Sequence, residues 1–464
     1  MLPLLRRAKL DHVETLNQDV DSATLRDRDR FPDERPFALM ISWIFLALAT
    51  VGGWFTFNAY VPLKRPPVLS TMSFFAGWLT TELVVHHLLW QLAATVGFVA
   101  LGALGAWPGW VALGITGLSW VFLFGCYLRA RNAEGVVEGA LREGLGADYQ
   151  DKVPRALAER LAPRVDRRQI VLAVPTRHPE VLRERDIPYV EGPGYRMKLD
   201  VYRRRDVSGP CPTLLQIHGG GWVIGSKNEQ GLPLVLHLAS RGWVCVSVNY
   251  RLAPRATFPD PLIDLKSAIR WIREHATEYG IDPDFIVVTG GSAGGHLASL
   301  VALTQNDPEY QPGFEDVDTS VRGCVAFYGV YDFTDRYGFW PHRGLTGLLE
   351  KSVMKASLEE AKGAYEKASP MSRIHRGAPP FFVIHGDKDT MVPVEEARRF
   401  ARELRASTEA PVVYAEIPGA QHAFEVFPSL RTTFVIHGVE RFLTVIYGRY
   451  LEARDAPTLP AEGE

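Results

Sequence analysis

The chain has 464 residues, 51 basic and 53 acidic, for a formal net charge of −2. Such a balance offers no excess of cations to a phosphate backbone, so nucleic acid is not an expected partner. Cys126, Cys211, Cys245 and Cys324 stand far apart with no C-x-x-C among them, which argues against a disulfide framework or a zinc knuckle.

A mean hydropathy of −0.04 hides a strong segregation. Residues 1–36 form a charged N-terminal tail containing Arg26-Asp27-Arg28-Asp29-Arg30. No charged residue lies between Arg35 and Lys64, and none between Glu82 and Arg129. A helix rises about 1.5 Å per residue, so roughly 20 apolar residues cross a hydrocarbon core about 30 Å thick. Residues 37–128 therefore read as a transmembrane region of three helices, at 37–57, 83–106 and 109–128. The stretch 66–81 is also uncharged and leaves the start of the second span open. Trp107-Pro108-Gly109-Trp110 is the expected turn between the last two, with its tryptophans at the interface. The competing reading is a buried helical hairpin in a soluble domain. A cleaved signal peptide fits poorly, because the charged tail precedes the first apolar run. His86 and His87 are adjacent and point to different helix faces, which favours a packing role over a metal or proton site.

Arg26, Arg28, Arg30 and Arg35 outnumber Lys64 and Arg65 around the first span, which puts the N-terminus in the cytoplasm and residues beyond 128 outside. Arg129, Arg131 and Arg142 pull the other way, so the side of the catalytic region stays open. Residues 129–185 read as a basic helical connector. Its Arg164-Val165-Asp166-Arg167-Arg168 run is either a solvated helix face or a contact with anionic head groups.

From 186 to 464 the texture becomes strands alternating with helices. Strands are expected at 187–190, 196–203, 213–217, 243–249, 285–289, 321–328, 380–384 and 412–417. Helices are expected near 232–241, 263–279, 295–303, 394–405 and 429–450. Continuous apolar strands between amphipathic helices predict an α/β domain with a mostly parallel sheet covered on both faces.

The chemistry-bearing residues fall at strand ends. Gly290-Gly291-Ser292-Ala293-Gly294 is a G-x-S-x-G between an apolar strand and a helix, where a tight turn would expose the Ser292 hydroxyl. His218-Gly219-Gly220-Gly221-Trp222 closes an earlier strand. Its glycines let backbone N–H groups approach a ligand, and with the N–H of Ala293 they could hold a developing oxyanion. His218 reads as an organiser of that loop. No P-loop lysine follows, so a phosphate cradle fits less well.

A base for Ser292 and an acid to orient it are expected on later loops. His385-Gly386-Asp387-Lys388-Asp389 and Pro418-Gly419-Ala420-Gln421-His422 each follow a strand and give the order Ser292, Asp389, His422. Asp387, Asp332 and Asp335 remain alternative acids. His385 and His296 read as structural. The aromatic-rich segment 331–370 either caps the site or packs as ordinary surface structure.

Residues 186–450 resemble the hormone-sensitive-lipase-like branch of the α/β-hydrolases, serine carboxylesterases and lipases. The likeness rests on His218-Gly219-Gly220-Gly221, Tyr250-Arg251-Leu252-Ala253-Pro254 and Gly290-Gly291-Ser292-Ala293-Gly294-Gly295. With the preceding apolar region, the chain is similar to membrane-associated actinobacterial esterases of that group. The resemblance implies an α/β-hydrolase fold, Ser292 as nucleophile, His422 as base and Asp389 as acid. It further implies Gly220, Gly221 and Ala293 as oxyanion donors, Gly219 supporting them, and His218, Gly290 and Gly294 shaping the motifs. Neither metal nor organic cofactor is implied; the partners are an ester, lipid-like or short-chain, and a membrane.

Two departures stand out. Many relatives carry Asp before the nucleophile, where this chain has Gly291. The acid block from His385 to Pro393 is closer to peptidase-like and formamidase-like relatives. Hydrolysis of amides or formamides, or demethylation of a modified protein, is therefore an alternative activity. A hydrolase-fold receptor or scaffold without turnover is another; some relatives of that kind lack the catalytic His, which is present here as His422.

Overall fold

A computed structural model of the protein describes residues 34–63, 67–159, 161, 177–190, 197–206, 209–340 and 344–456. Most of the charged N-terminal tail and the run from Arg164 to Arg168 lie outside the described residues. The chain divides into two compact units, Met1–Trp54 with His87–Val121, and Phe55–His86 with Phe122–Glu464.

The apolar region forms four helices: α1 (Glu34–Tyr60), α2 (Pro67–Glu82), α3 (Val84–Ala100) and α4 (Trp107–Leu145). Within the first unit, Phe45 stacks on Phe98 at 5.3 Å and Ser42 donates to the Ala103 carbonyl at 2.5 Å. The unit leaves Phe37, Met40, Val96, Trp107, Leu118 and Val121 exposed. Among the described residues, Pro36–Tyr60 and Trp107–Leu145 are long and apolar enough to cross a membrane. Val68–Glu82 and Val84–Ala100 form a pair bent by 94°, which makes a third if counted as one span. Only 28% of each long helix's most apolar stretch is buried in the protein, unlike the buried hairpin of a soluble core.

Two boundaries differ from those expected. Trp107-Pro108-Gly109-Trp110 opens α4 rather than forming the turn, which lies at the short 3₁₀ segment Ala103–Gly105. Proline is tolerated in a first helical turn, where no intrahelical N–H bond is lost. Helix α4 also runs on past Arg129 to Leu145. Its Ala133, Val137, Leu141 and Leu145 are buried in the core of the second unit. A hydrophobic stripe therefore continues beyond the point where charge begins.

The second unit is built on an eight-stranded sheet: β1 (Val181–Pro188), β2 (Lys198–Arg204), β3 (Cys211–Ile217), β4 (Val244–Val248), β5 (Ile281–Gly291), β6 (Gly323–Phe327), β7 (Phe381–Gly386) and β8 (Val412–Ile417). Their order is β1-β2-β4-β3-β5-β6-β7-β8, with the β1–β2 and β2–β4 pairs antiparallel and every other neighbouring pair parallel. Successive strand residues point to opposite faces. Leu215, Ile286, Ala326 and Val383 thus enter one core, while Leu214, Val287, Val325 and Ile384 enter the other. The first core is covered by α6 (Asp260–Glu274), α7 (Ala293–Leu303) and α8 (Val394–Ser407). The second is covered by α5 (Leu232–Ser240), α9 (Leu430–Asp455) and the end of α4. Apolar on both sides, the central strands could only be buried this way.

Parallel strands set their carboxyl ends along one edge. The loops after β3, β5, β7 and β8 leave from that edge and carry the residues singled out by the motifs.

Candidate active site

Strand β5 passes directly into α7 through Ser292, whose φ of 59° and ψ of −124° lie outside the ordinary regions for a side-chain-bearing residue. The turn is held by the Ser292 N–H donating to Phe327 O and the His296 N–H donating to Ser292 O, each at 3.0 Å. Its glycines are required by space. A Cβ on Gly290 would stand 2.6 Å from Ile217 O, and one on Gly294 would collide with that same carbonyl. The Ser292 turn thus packs backbone-to-backbone on the end of β3.

From that end runs His218-Gly219-Gly220-Gly221. Gly220 and Gly221 have φ of +108° and +59°, and a Cβ on Gly220 would collide with the Ile224 carbonyl. The Gly219 N–H donates to Gln230 Oε1 at 2.5 Å, so it is already committed. Among the described residues, the N–H groups of Gly220, Gly221 and Ala293 have no hydrogen-bond partner. Ala293 is buried, while Gly220 and Gly221 are half-buried.

The loop is braced by two of the motifs. His218 stacks on Tyr250 at 4.3 Å, and the Tyr250 hydroxyl donates to His218 O at 2.9 Å. The Ala253 N–H donates to Trp222 O at 2.9 Å. Trp222 in turn donates from Nε1 to His296 Nδ1 at 3.2 Å, and His296 Nε2 donates to Ala368 O at 2.7 Å. Burial pushes His296 down to about 3, so it stays neutral and keeps this tautomer. It links the 218–222 loop, α7 and the 331–370 segment, in keeping with a structural role for His296.

On the loops after β7 and β8, His422 Nδ1 lies 2.7 Å from Asp389 Oδ2, with both residues buried. Asp389 Oδ1 accepts the N–H groups of Met391 and Val392 at 2.8 Å each. His385 Nε2 lies 3.1 Å from Asp389 Oδ2 and 3.1 Å from the Val392 carbonyl, so its proton is shared between them. Burial alone would raise the Asp389 carboxyl. The facing His422 and the hydrogen bonds from both histidines outweigh it and hold the group well below the ordinary carboxylate range. The alternative acids are engaged elsewhere: Asp332 with Arg336, Asp335 with the Phe339 N–H and Asp387 with the Gly419 N–H.

Three contributors carry no sequence signal. Gln230, eleven residues from Gly219, holds the Gly219–Gly221 turn. Tyr328, at the end of β6, sets its ring 4.5 Å from that of His422 and donates its hydroxyl to Glu425. Burial raises Glu425 to about 7, and the Tyr328 hydrogen bond offsets only part of that.

Comparison with known proteins shows the family. A family model described as BD-FAE matches residues 199–404. The chain is 41% identical over 408 residues to the probable carboxylic ester hydrolase LipM of Mycobacterium tuberculosis, covering 87% of this chain and 93% of that protein. The chain belongs to the hormone-sensitive-lipase-like esterases of the α/β-hydrolase fold. It is also similar to the esterase LipQ of the same organism, 39% identical over 390 residues, covering 82% of this chain and 86% of LipQ. Esterase B of Lactobacillus rhamnosis shares the fold, with a TM-score of 0.51 at 22% identity, covering 61% of this chain and 91% of that one. The similarity to LipM and LipQ extends well beyond the hydrolase motifs, since 87% of the chain cannot be matched without residues upstream of β1.

Proposed function

We propose that this esterase is anchored in a membrane and cleaves a carboxylic ester through Ser292, His422 and Asp389. The contact between His422 Nδ1 and Asp389 carries the reading, because it commits the Nδ1 proton and leaves Nε2 as the proton acceptor. Ser292 Oγ attacks the ester carbonyl carbon while its proton passes to His422 Nε2. The carbonyl oxygen becomes an oxyanion facing the N–H groups of Gly220, Gly221 and Ala293, with Gly219 holding the turn. Collapse breaks the C–O bond, and the leaving alkoxide takes the proton from His422. Water then attacks the acyl-enzyme, gives its proton to His422, and the acid leaves as Ser292 is regenerated.

Asp389 stays ionised throughout and stabilises the imidazolium formed on His422. The exposed apolar helices support anchoring, and an anchored site meets lipid-like esters at high local concentration. The full chain in detergent is expected to turn over esters in preference to matched amides, with activity lost in Ser292→Ala. Co-flotation with liposomes that survives high salt checks the anchor, and recovery as a lipid-free soluble protein would remove it. Truncation at residue 128 is a poor test, since α2 and the end of α4 belong to the hydrolase unit.

A further inference from the structure

The segment that follows His422 is held by a helix from the apolar N-terminal region. Ala423, at φ 59°, accepts a hydrogen bond at its carbonyl from Trp78 Nε1 at 2.9 Å. Four residues on, Phe427 packs against the Trp78 ring with centroids 4.9 Å apart. Ser429 Oγ donates to Glu82 Oε2 at 2.7 Å, and Arg431 forms a fully buried ion pair with Glu82. Arg431 also donates to Thr81 O at 3.3 Å, at the carboxyl end of α2.

Helix α2 cannot readily slide away from this loop. Ser73 donates to Asn58 Oδ1 at the end of α1, and a Cβ on Gly77 would stand 2.8 Å from Asn58 O. The helix is therefore fixed on one side by α1 and on another by 423–431, with Val68, Met72 and Phe75 left exposed. A stretch needed only to hold the protein in a bilayer would not require a buried ion pair and an indole hydrogen bond to the base loop. A buried pair is a costly device unless its geometry is used.

We infer that α2 is a positioning element of the active site: Trp78 and Glu82 hold the 423–431 segment and thereby set where His422 stands. The inference rests on His422 being the base. Neither residue touches substrate; each acts through the loop. The consequence is that catalysis, and not only location, depends on the apolar region.

Trp78→Phe keeps the ring against Phe427 and deletes only the N–H. The test uses the full chain in detergent micelles with p-nitrophenyl butyrate, a soluble ester that needs no delivery from a bilayer. Active sites are counted by the end-point of fluorophosphonate labelling. The expected result is a fall of about tenfold in kcat per labelled site, the scale of a displaced catalytic group, with KM held within about twofold. The rate of fluorophosphonate labelling should fall by a similar factor while its end-point and the unfolding temperature hold. Loss of end-point with normal kcat per labelled site would mean a folding role and overturn the inference. Wild-type kcat and labelling rate would do the same. Glu82→Gln with Arg431→Gln, which strands no charge, provides a second variant with the same expected split. If His422→Ala retained full turnover, the triad itself would fail; if it is inactive while Trp78→Phe matches wild type, the positioning inference alone fails.

Discussion

A side chain on Gly291 would run into Tyr328: a Cβ there would stand 2.6 Å from the phenol oxygen and 2.9 Å from the ring. Position 291, where the family resemblance leads one to expect Asp, is thus filled from across the sheet end by a tyrosine, whose hydroxyl goes to Glu425 and whose ring lies beside His422. Restoring the acid, Gly291→Asp, is expected to destabilise by about 1–3 kcal/mol, the usual cost of overpacking. Thermal unfolding checks it. The double variant Gly291→Asp/Tyr328→Ala, which opens the space, should recover part of the loss.

The acid assignment predicts a sharp contrast among neighbours. Asp389→Asn removes the acceptor that fixes the His422 tautomer, and kcat should fall by roughly 10³–10⁴. Asp387→Asn and Asp332→Asn should each stay within about tenfold, because these carboxylates bond to Gly419 and Arg336 rather than to His422. Steady-state kinetics on one soluble ester separates the three.

Two kinds of change at the Gly219–Gly221 turn test its proposed oxyanion role. Gly220→Ala meets both an unfavourable φ of +108° and the Ile224 carbonyl, so the donor must move. Losing one such donor typically costs about 10²–10³ in kcat. Gln230→Leu leaves the N–H of Gly219 without its acceptor, at a stability cost of about 1–3 kcal/mol. Its effect should appear first in denaturant midpoints and less in KM.

Glu425 supplies a pH signature. It faces Tyr328 directly, with His422 and Glu82 near enough to act on its charge, and burial lifts it to about 7 from an ordinary 4.5. The folded protein therefore holds this proton over a range where the unfolded chain has released it. The stability tied to it is fully present below pH about 4.5 and is lost as pH rises through about 7. Chemical denaturation of wild type and Glu425→Gln across pH 4.5–8 should show stability falling more steeply with pH in wild type. Parallel curves would remove Glu425 as the titrating group.

Much of the candidate site's placement was legible from sequence because its motifs sit where apolar strands meet glycine. The runs ending at Gly290 and at His218 each announce a buried strand and a tight turn, and the order Ser292, Asp389, His422 falls on loops of one sheet edge. The likeness of Tyr250-Arg251-Leu252-Ala253-Pro254 to a recurring block acquires a physical reason in the Tyr250 bond to His218 O. What sequence could not convey depends on distant pairings without periodicity. Gln230 meets Gly219, Tyr328 meets Glu425, and Trp78 meets Ala423 across 345 positions. Strand β1 was anticipated only from Ile187, whereas it begins at Val181, because charged Arg183, Glu184 and Arg185 on an edge strand mask the alternation. Charge at Arg129 similarly concealed that α4 continues into the hydrolase core.

The proposed mechanism requires that Ser292 become acylated with His422 as its base. The most direct measurement treats the folded full chain in detergent with a fluorophosphonate and maps the adduct by peptide mass spectrometry. One adduct is expected, on Ser292, absent in Ser292→Ala and formed far more slowly in His422→Ala. A folded wild-type protein that hydrolyses esters yet acquires no adduct on Ser292 would contradict it.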